Sequence, residues 1–457
     1  LMIRRPPRST LSPSSAASDV YKRQFGTCAI TAVTAQNTMG VYEIHSIPPR
    51  VVRRQMEAVL DDMEISTIKT GMLYSREIME VVAETIDRYG LKAVVDPVMA
   101  AGTGDSLIRD GYLSALIEVM VPRAYILTPN RHEAEAISGI RIKSLHDMRE
   151  AAERIIEMGA KAVIIKGGHL EGEVVRDLLY GDDVLRIFER DRMPIESHGG
   201  GCTFSAAIAG YLALGNDLVT AVSKAEDLIG KAMRFGLKVG HGRIPVNPMA
   251  TLHNEAERFR VLNDLRRAVR EFLNDPKVAS HIAEVGTQIA MALPYASKKS
   301  DVAAIEGRIV RVYGTPKAVG SVWFGASNHM ARVILTAMKY NPEMRAALNL
   351  HYSPKLLKAM VESGLTASSF DRSREPAEFK AVEGRTLSWG VEEAIRTAGR
   401  VPDVIYDLGE VGKEPMIRLL GRSATEVVKK ALAAITLLSG HKNGRRRARL
   451  RGEGGCI

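Results

Sequence analysis

Between Cys28 and about Val239 short apolar runs alternate with amphipathic stretches, and this alternation narrows the first half of the chain to one class of fold. The runs CAITAVTAQ, ISTIKTGML, KAVVDPVM, AYILTPN and KAVIIKGG read as strands, and stretches such as REIMEVVAETIDRYG carry the period of a helix between them. Strand and helix in repetition predict an α/β unit with a mostly parallel sheet and crossover helices. Ligands of such sheets bind outside the carboxyl ends of the strands. The polar and pocket-forming residues at those ends are Gln36 and Asn37, Met72, Asp96 with Val98, Asn130 and Glu133, and Lys166.

Taken singly, an Asn after Thr-Pro is a turn residue and a Lys at a strand end is solvated. Taken together they suit phosphoryl transfer, with Glu133 holding Mg²⁺ through water and Lys166 balancing phosphate charge. Downstream, HGGGCTFSAAIAGYLALG joins a glycine loop to an apolar helix, so backbone N–H groups and the positive helix end meet an anion there. Cys202 begins that helix. The position is expected to lower its thiol pKa and make it a proton acceptor, although a small buried cysteine at a helix start is the blander reading.

The formal charge is +10, but five basic residues against Asp19 lie in residues 1–24 and six against Glu453 in residues 439–457. The body between is nearly neutral, which argues against a nucleic-acid partner. Three scattered cysteines, Cys28, Cys202 and Cys456, give neither a disulfide framework nor metal-ligand spacing and point to the cytoplasm. No apolar run is long enough to cross a membrane. The leader LMIRRPPRSTLSPSSAASDVYKRQ resembles translated sequencing-adaptor sequence, and the last residues read as a basic disordered arm. The expected division is a leader at 1–24, a first domain at 25–250, a second at 251–438 and a tail at 439–457.

GTCAITAVTAQNTMGV, KTGML, DPVMAAGTGDSL, TPNRHEAE, IIKGGHL and HGGGCTFSAAIAG occur in the order and spacing of the hydroxymethylpyrimidine phosphate kinases, a ribokinase-like family, which this part of the chain resembles. The resemblance implies an αβα sandwich that uses Mg-ATP to phosphorylate hydroxymethylpyrimidine and then its monophosphate. It implies Cys202 as the base and Gly199, Gly200 and Gly201 as the anion hole. Gln36, Met72 and Val98 would line the pyrimidine pocket, with Asp96, Asn130 and Glu133 near metal and phosphates and Lys166 on ATP. Kinase relatives are commonly dimers, so a homodimer is expected. The sequence departs from the family in two places: Gly200 stands where the loop usually carries threonine, and the leader stands where the family has its first strand and a glycine-rich turn.

After VGHGRIPVNPMATLHNEAERF the pattern restarts. RVLNDLRRAVREFLNDPKVASHIAEVGTQIAMALP reads as two amphipathic helices. RIVRVYG, AVGSVWFG, ALNLHYS, LTASSFD and VPDVIYD read as strands, and HMARVILTAMKY, PKLLKAMVES and TLSWGVEEAIRTAG as helices, giving a second α/β domain. Its polar residues cluster at connections, where Ser327, Asn328 or a helix N-terminus suits an anion. FGASNHMARVILTAM, SSFDRSREP and PDVIYDLGEVGKEPMIRLLG resemble the archaeal-type thiamine-phosphate synthase domain over roughly 262–436. That family joins the pyrimidine diphosphate to thiazole phosphate and releases pyrophosphate. By the resemblance Arg308 and His329 are the catalytic pair, and Arg332, Asp371, Arg372, Glu375, Lys413 and Glu414 bind substrate. The expectation is a bifunctional thiamine-biosynthesis enzyme. A rival makes the second domain a thiamine-phosphate sensor without turnover, and a pyridoxal kinase would leave the second domain unexplained.

Overall fold

In a computed structural model of the chain, described over residues 26–100, 110–168, 172–181, 183–193, 197–376 and 385–452, the chain divides into two compact units, the first ending at Leu252 and the second beginning at His253. The leader lies outside the described residues, as does most of AAGTGDSL.

The first unit is built on a six-stranded sheet whose spatial order follows the chain: Thr67–Thr70, Lys92–Val95, Ala124–Leu127, Ala162–Ile165, Val174–Gly181 and Val184–Asp191. The first four strands are parallel, and the last two form an antiparallel extension. Alternate residues of one strand point to opposite faces. Accordingly Ala93, Val95, Val163 and Ile165 pack with the helices Arg76–Tyr89 and Leu145–Glu157, whereas Val94, Ile126 and Ile164 pack with Gly200–Ala213 and Leu218–Arg234. The result is the expected αβα sandwich. Caps set the helix ends: Ser75 accepts from the Ile78 amide, and Gly90 takes the left-handed conformation (φ 63°) that stops the first crossover helix.

One strand reading changes. CAITAVTAQ is not a member of this sheet: Ala32–Gln36 pairs antiparallel with Val41–Ser46 in a separate two-stranded ribbon. Asn37 explains the turn, its Oδ1 accepting from the amides of Met39 and Gly40, so a local hairpin takes the strand's hydrogen bonds.

The second unit holds a seven-stranded sheet in the order Val322–Phe324, Val302–Ile305, Ile289–Ala292, Ala346–His351, Met416–Gly421, Val404–Asp407 and Ala367–Ser369. Only the last neighbouring pair is parallel. The second helix expected before residue 294 is instead a 3₁₀ turn, Pro276–His281, followed by the strand Ile289–Ala292. A four-residue buried run has no period that separates strand from helix, and pairing on both edges decides it. The last helix runs Ala424–Gly452, so regular structure continues through much of the stretch expected to be a disordered arm. The stretch has no proline and its arginines are good helix formers, so the helix runs on past Gly440, Asn443 and Gly444.

Candidate functional site

Asp96 follows the strand Lys92–Val95 directly and is 3 % exposed. Its Oδ2 accepts from Ser205 Oγ at 3.1 Å and lies 3.4 Å from Lys69 Nζ, and its Oδ1 accepts from Thr128 Oγ1 at 3.4 Å and lies 3.7 Å from Lys166 Nζ. Four parallel strands and the helix after the glycine loop therefore deliver one carboxylate, two ammonium groups and two hydroxyls to one point. Burial works to raise the Asp96 pKa, but Lys166 and Lys69, with Ser205, outweigh it and hold the carboxyl below its ordinary range.

The loop is built as its glycines predict at one position in particular. Gly199 has φ 81° and precedes the helix Gly200–Ala213. A Cβ on Gly201 would sit 3.3 Å from Lys166 Nζ, so the absence of a side chain lets the ammonium group approach the loop. At Gly200 the space is open, the nearest atom to a Cβ being Ser197 Oγ at 3.7 Å.

Cys202 corrects the expectation. Lys69 draws its thiol toward ionisation, but burial and the charge of Asp96 push the other way and together leave the pKa above its ordinary value. A helix N-terminus favours a thiolate, but here burial and the buried carboxylate of Asp96 outweigh it.

Asn130 and Glu133 form a capping box: Glu133 Oε2 accepts from the Asn130 amide at 2.7 Å and Asn130 Oδ1 from the Glu133 amide at 3.0 Å. Burial, against the pull of Lys166 and with Asp96 adding to the rise, pushes the Glu133 carboxyl to about 7. Among the described residues no three His, Cys, Asp or Glu side chains converge as a metal cage. A buried carboxylate short of positive charge fits a hydrated Mg²⁺ held mainly by nucleotide phosphates.

The expected pyrimidine residues are placed apart. Met72 lines a cavity of about 810 Å³ beside the edge strand Thr67–Thr70, whose lining includes neither Gln36 nor Val98. Gln36 is exposed on the ribbon, its Nε2 3.5 Å from His198 Nε2 at the loop. Val98 presents its carbonyl to Tyr112 Oη at 3.1 Å. Lys69, Thr128 and Ser205 escaped the sequence reading. Lys69 had a signal, as a lone cation inside the apolar run STIKTG.

In the second unit His329 is the second residue of the helix Asn328–Tyr340, which Ser327 caps through Oγ. Burial, then Arg418, Arg308 and Arg372, press its pKa down to about 3, and its buried Nε2 has no hydrogen-bond partner among the described residues. His329 is a neutral imidazole at physiological pH. Arg308 takes a left-handed backbone (φ 93°), which is strained for a residue with a side chain, and its Nη1 donates to the Val285 carbonyl. Arg372 is paired with Asp407, and Glu375 is 6 % exposed, both its carboxylate oxygens lacking a hydrogen-bond partner among the described residues. Arg332 lies one turn beyond His329. Glu414 accepts from the amides of Glu284 and Val285 and from His351 Nδ1. Asp371 and Lys413 are exposed and engaged locally, Asp371 capping the turn Arg372–Arg374 and Lys413 lying 3.7 Å from Glu410. Asp407 and Arg418, both wholly buried, were missed because a single charge in an apolar strand looks like an edge residue.

Comparison with known proteins divides the chain in the same sense. The phosphomethylpyrimidine kinase family model matches residues 20–247 and the thiamine-phosphate synthase ThiN model residues 264–433. The chain is 34% identical over 401 residues to the bifunctional thiamine biosynthesis protein ThiDN of Methanocaldococcus jannaschii, covering 88% of this chain and 89% of that one. It is 41% identical to the hydroxymethylpyrimidine/phosphomethylpyrimidine kinase of Bacillus subtilis, over 52% of this chain and 88% of the relative. A crystal structure of phosphomethylpyrimidine kinase from Clostridium difficile is 37% identical, covering 48% of this chain and 89% of that chain with a TM-score of 0.43. With both halves matched in order along one chain, the protein belongs to the family of bifunctional thiamine biosynthesis proteins, a phosphomethylpyrimidine kinase followed by a thiamine-phosphate synthase domain.

Proposed function

We propose that the first unit uses ATP to phosphorylate hydroxymethylpyrimidine phosphate to the diphosphate, and that the second condenses this product with thiazole phosphate to give thiamine phosphate and pyrophosphate. The observation that carries the kinase half is the convergence of Lys69, Lys166 and Asp96 on the start of the glycine-loop helix.

Transfer of a phosphoryl group needs its charge matched in place, since there is little covalent work for the protein to do. Lys166 is the ATP-phosphate contact, and the amides of Gly199, Gly200 and Gly201 receive the transferred group. Cys202 takes the proton from the substrate oxygen as that oxygen bonds to the γ-phosphorus and ADP leaves. Asp96 keeps both lysines in place. Glu133, with Asn130 beside it, would hold Mg²⁺, which would neutralise phosphate charge. Met72 serves the pyrimidine from the cavity it lines, and Gln36, beside His198 at the loop, and Val98 would reach the same ligand from outside that lining.

In the second unit the bond between the pyrimidine methylene and the diphosphate oxygen breaks, and the thiazole nitrogen bonds to that carbon. Charge grows on the leaving diphosphate, which calls for cations there. Arg308 and His329 act at the reacting groups, His329 as a neutral hydrogen-bonding partner. Arg372, Arg332 and Lys413 bind anionic groups, and Asp371, Glu375 and Glu414 complete the site. ATP and phosphorylated substrates favour a cytoplasmic enzyme. The homodimer is tested by light scattering.

The test supplies the whole chain with hydroxymethylpyrimidine phosphate, ATP, Mg²⁺ and thiazole phosphate and follows thiamine phosphate by chromatography. A parallel reaction starts from the diphosphate without ATP. Product in both is expected. Tight binding of thiamine phosphate with product in neither would overturn the reading in favour of a sensor.

A further inference from the structure

Arg418 lies in the middle of the strand Met416–Gly421, paired across to Asn349 on one side and Ile405 on the other, and is wholly buried. A guanidinium in that position is held against a desolvation penalty that Leu or Met would not incur. Its Nη1 donates to Asp407 Oδ2 at 2.7 Å, while its Nε and Nη2 are buried and have no hydrogen-bond partner among the described residues.

Asp407 is shared. Arg372 donates from Nε to Oδ1 at 2.7 Å and from Nη2 to Oδ2 at 3.3 Å, and the Gly409 amide donates to Oδ1 at 3.0 Å. One buried carboxylate thus orients two guanidinium groups, and the ring of Phe370 lies 5.6 Å from one and 5.7 Å from the other. The pair carries one more positive charge than Asp407 cancels. That excess, with donors left open, has the chemistry of a receptor for an anion. Arg372, slightly exposed where Arg418 is not, is the member that reaches a ligand.

We propose that Arg418 is a positioning residue of the synthase half: through Asp407 it fixes the Arg372 guanidinium so that the edge of that group not used by Asp407 meets the departing diphosphate. The inference rests on the synthase reading for the identity of the anion and on the geometry for everything else.

The test is a double-mutant cycle read by calorimetric binding of inorganic pyrophosphate to the full chain. Arg372→Ala is expected to weaken that binding about tenfold or more, the loss of a charge-assisted contact. Arg418→Met weakens it comparably alone, but by less than about twofold once Arg372 is already alanine, because its effect passes through Arg372. Arg418→Lys keeps the charge and recovers part of the loss; should Arg418→Met not fold, as judged by circular dichroism, the lysine variant completes the cycle. Equal effects of the Arg418 change in both backgrounds would assign it a merely structural role, and no effect of Arg372→Ala would remove the anion receptor altogether. Coupling in the cycle together with no thiamine phosphate from the wild-type chain would sink the synthase reading and leave the positioning role intact.

Discussion

Glu414 and Arg308 meet on one residue: the Val285 amide donates to Glu414 Oε2 at 3.2 Å, and the Val285 carbonyl accepts from Arg308 Nη1. Glu414 also takes the Glu284 amide and His351 Nδ1, so it pins the whole loop on which the strained Arg308 rests. Glu414→Ala is therefore expected to cut synthase turnover about tenfold to a hundredfold by loosening Arg308, with kinase turnover unchanged. Separate assays of the two half-reactions check this, and an unchanged synthase rate would remove Glu414 from the site.

Cys202 sets a pH dependence. Because burial and Asp96 outweigh Lys69 and raise its pKa, the group is a thiol at neutral pH, and a thiolate base becomes available only as pH rises. Kinase kcat/KM should climb with pH across the neutral and alkaline range, by about tenfold per unit below the thiol's pKa. Cys202→Ala should abolish the kinase step and spare the synthase, and Cys202→Asp should shift the rising limb toward acid. A pH–rate profile of wild type that is flat through this range would count against the thiolate.

Gly200 offers a stabilising change. Its φ is not among the left-handed ones, and a Cβ there meets only ordinary contacts. Gly200→Ala should raise stability by about 0.4–1 kcal/mol, chiefly by restricting the unfolded chain. Gly200→Thr adds a hydroxyl to the anion loop and should tighten ATP or substrate binding. Thermal melts and KM values for the two variants separate the effects.

The middle strands of the first unit's sheet were legible because they are buried on both faces and read as apolar runs, as in KAVV and AVII, whereas the half-exposed Val174–Gly181 and Val184–Asp191 carry charges along their length and did not stand out. The glycine loop was legible because glycines before an apolar helix have few other uses. The ribbon Ala32–Gln36 was not, since its composition is that of a sheet strand and only the turn at Asn37 gives it a nearer partner. Ile289–Ala292 and Val302–Ile305 are too short to show a period. Lys69, Asp407 and Arg418 were hidden for a different reason: a charge inside an apolar run has meaning only through its partner, and Arg418 lies 11 positions from Asp407 along the chain but on the adjacent strand.

Asp177, Arg190 and Glu226 behind the kinase site give the last prediction. Asp177 Oδ1 accepts from the Gly167 amide at 2.7 Å, fixing the loop after Lys166, and a Cβ on Gly167 would sit 2.0 Å from the Arg176 carbonyl oxygen. Arg190 lies 3.4 Å from Asp177 and 3.6 Å from Glu226. Burial first, then Asp177, push the Glu226 carboxyl to about 9, so it is protonated at neutral pH. A carboxyl whose folded pKa exceeds its unfolded value makes folding take up a proton, and stability falls as pH rises from the unfolded pKa toward about 9. Glu226→Gln mimics the protonated form and removes that fall: melting temperatures of variant and wild type should agree at acid pH and separate in the variant's favour as pH rises toward 9. Asp177→Ala should instead remove the acceptor of the Gly167 amide and raise KM for ATP, because Lys166 is the residue before Gly167. Parallel pH dependence of the two melting curves would mean that Glu226 is ionised in the folded protein, with Arg190 its counter-ion.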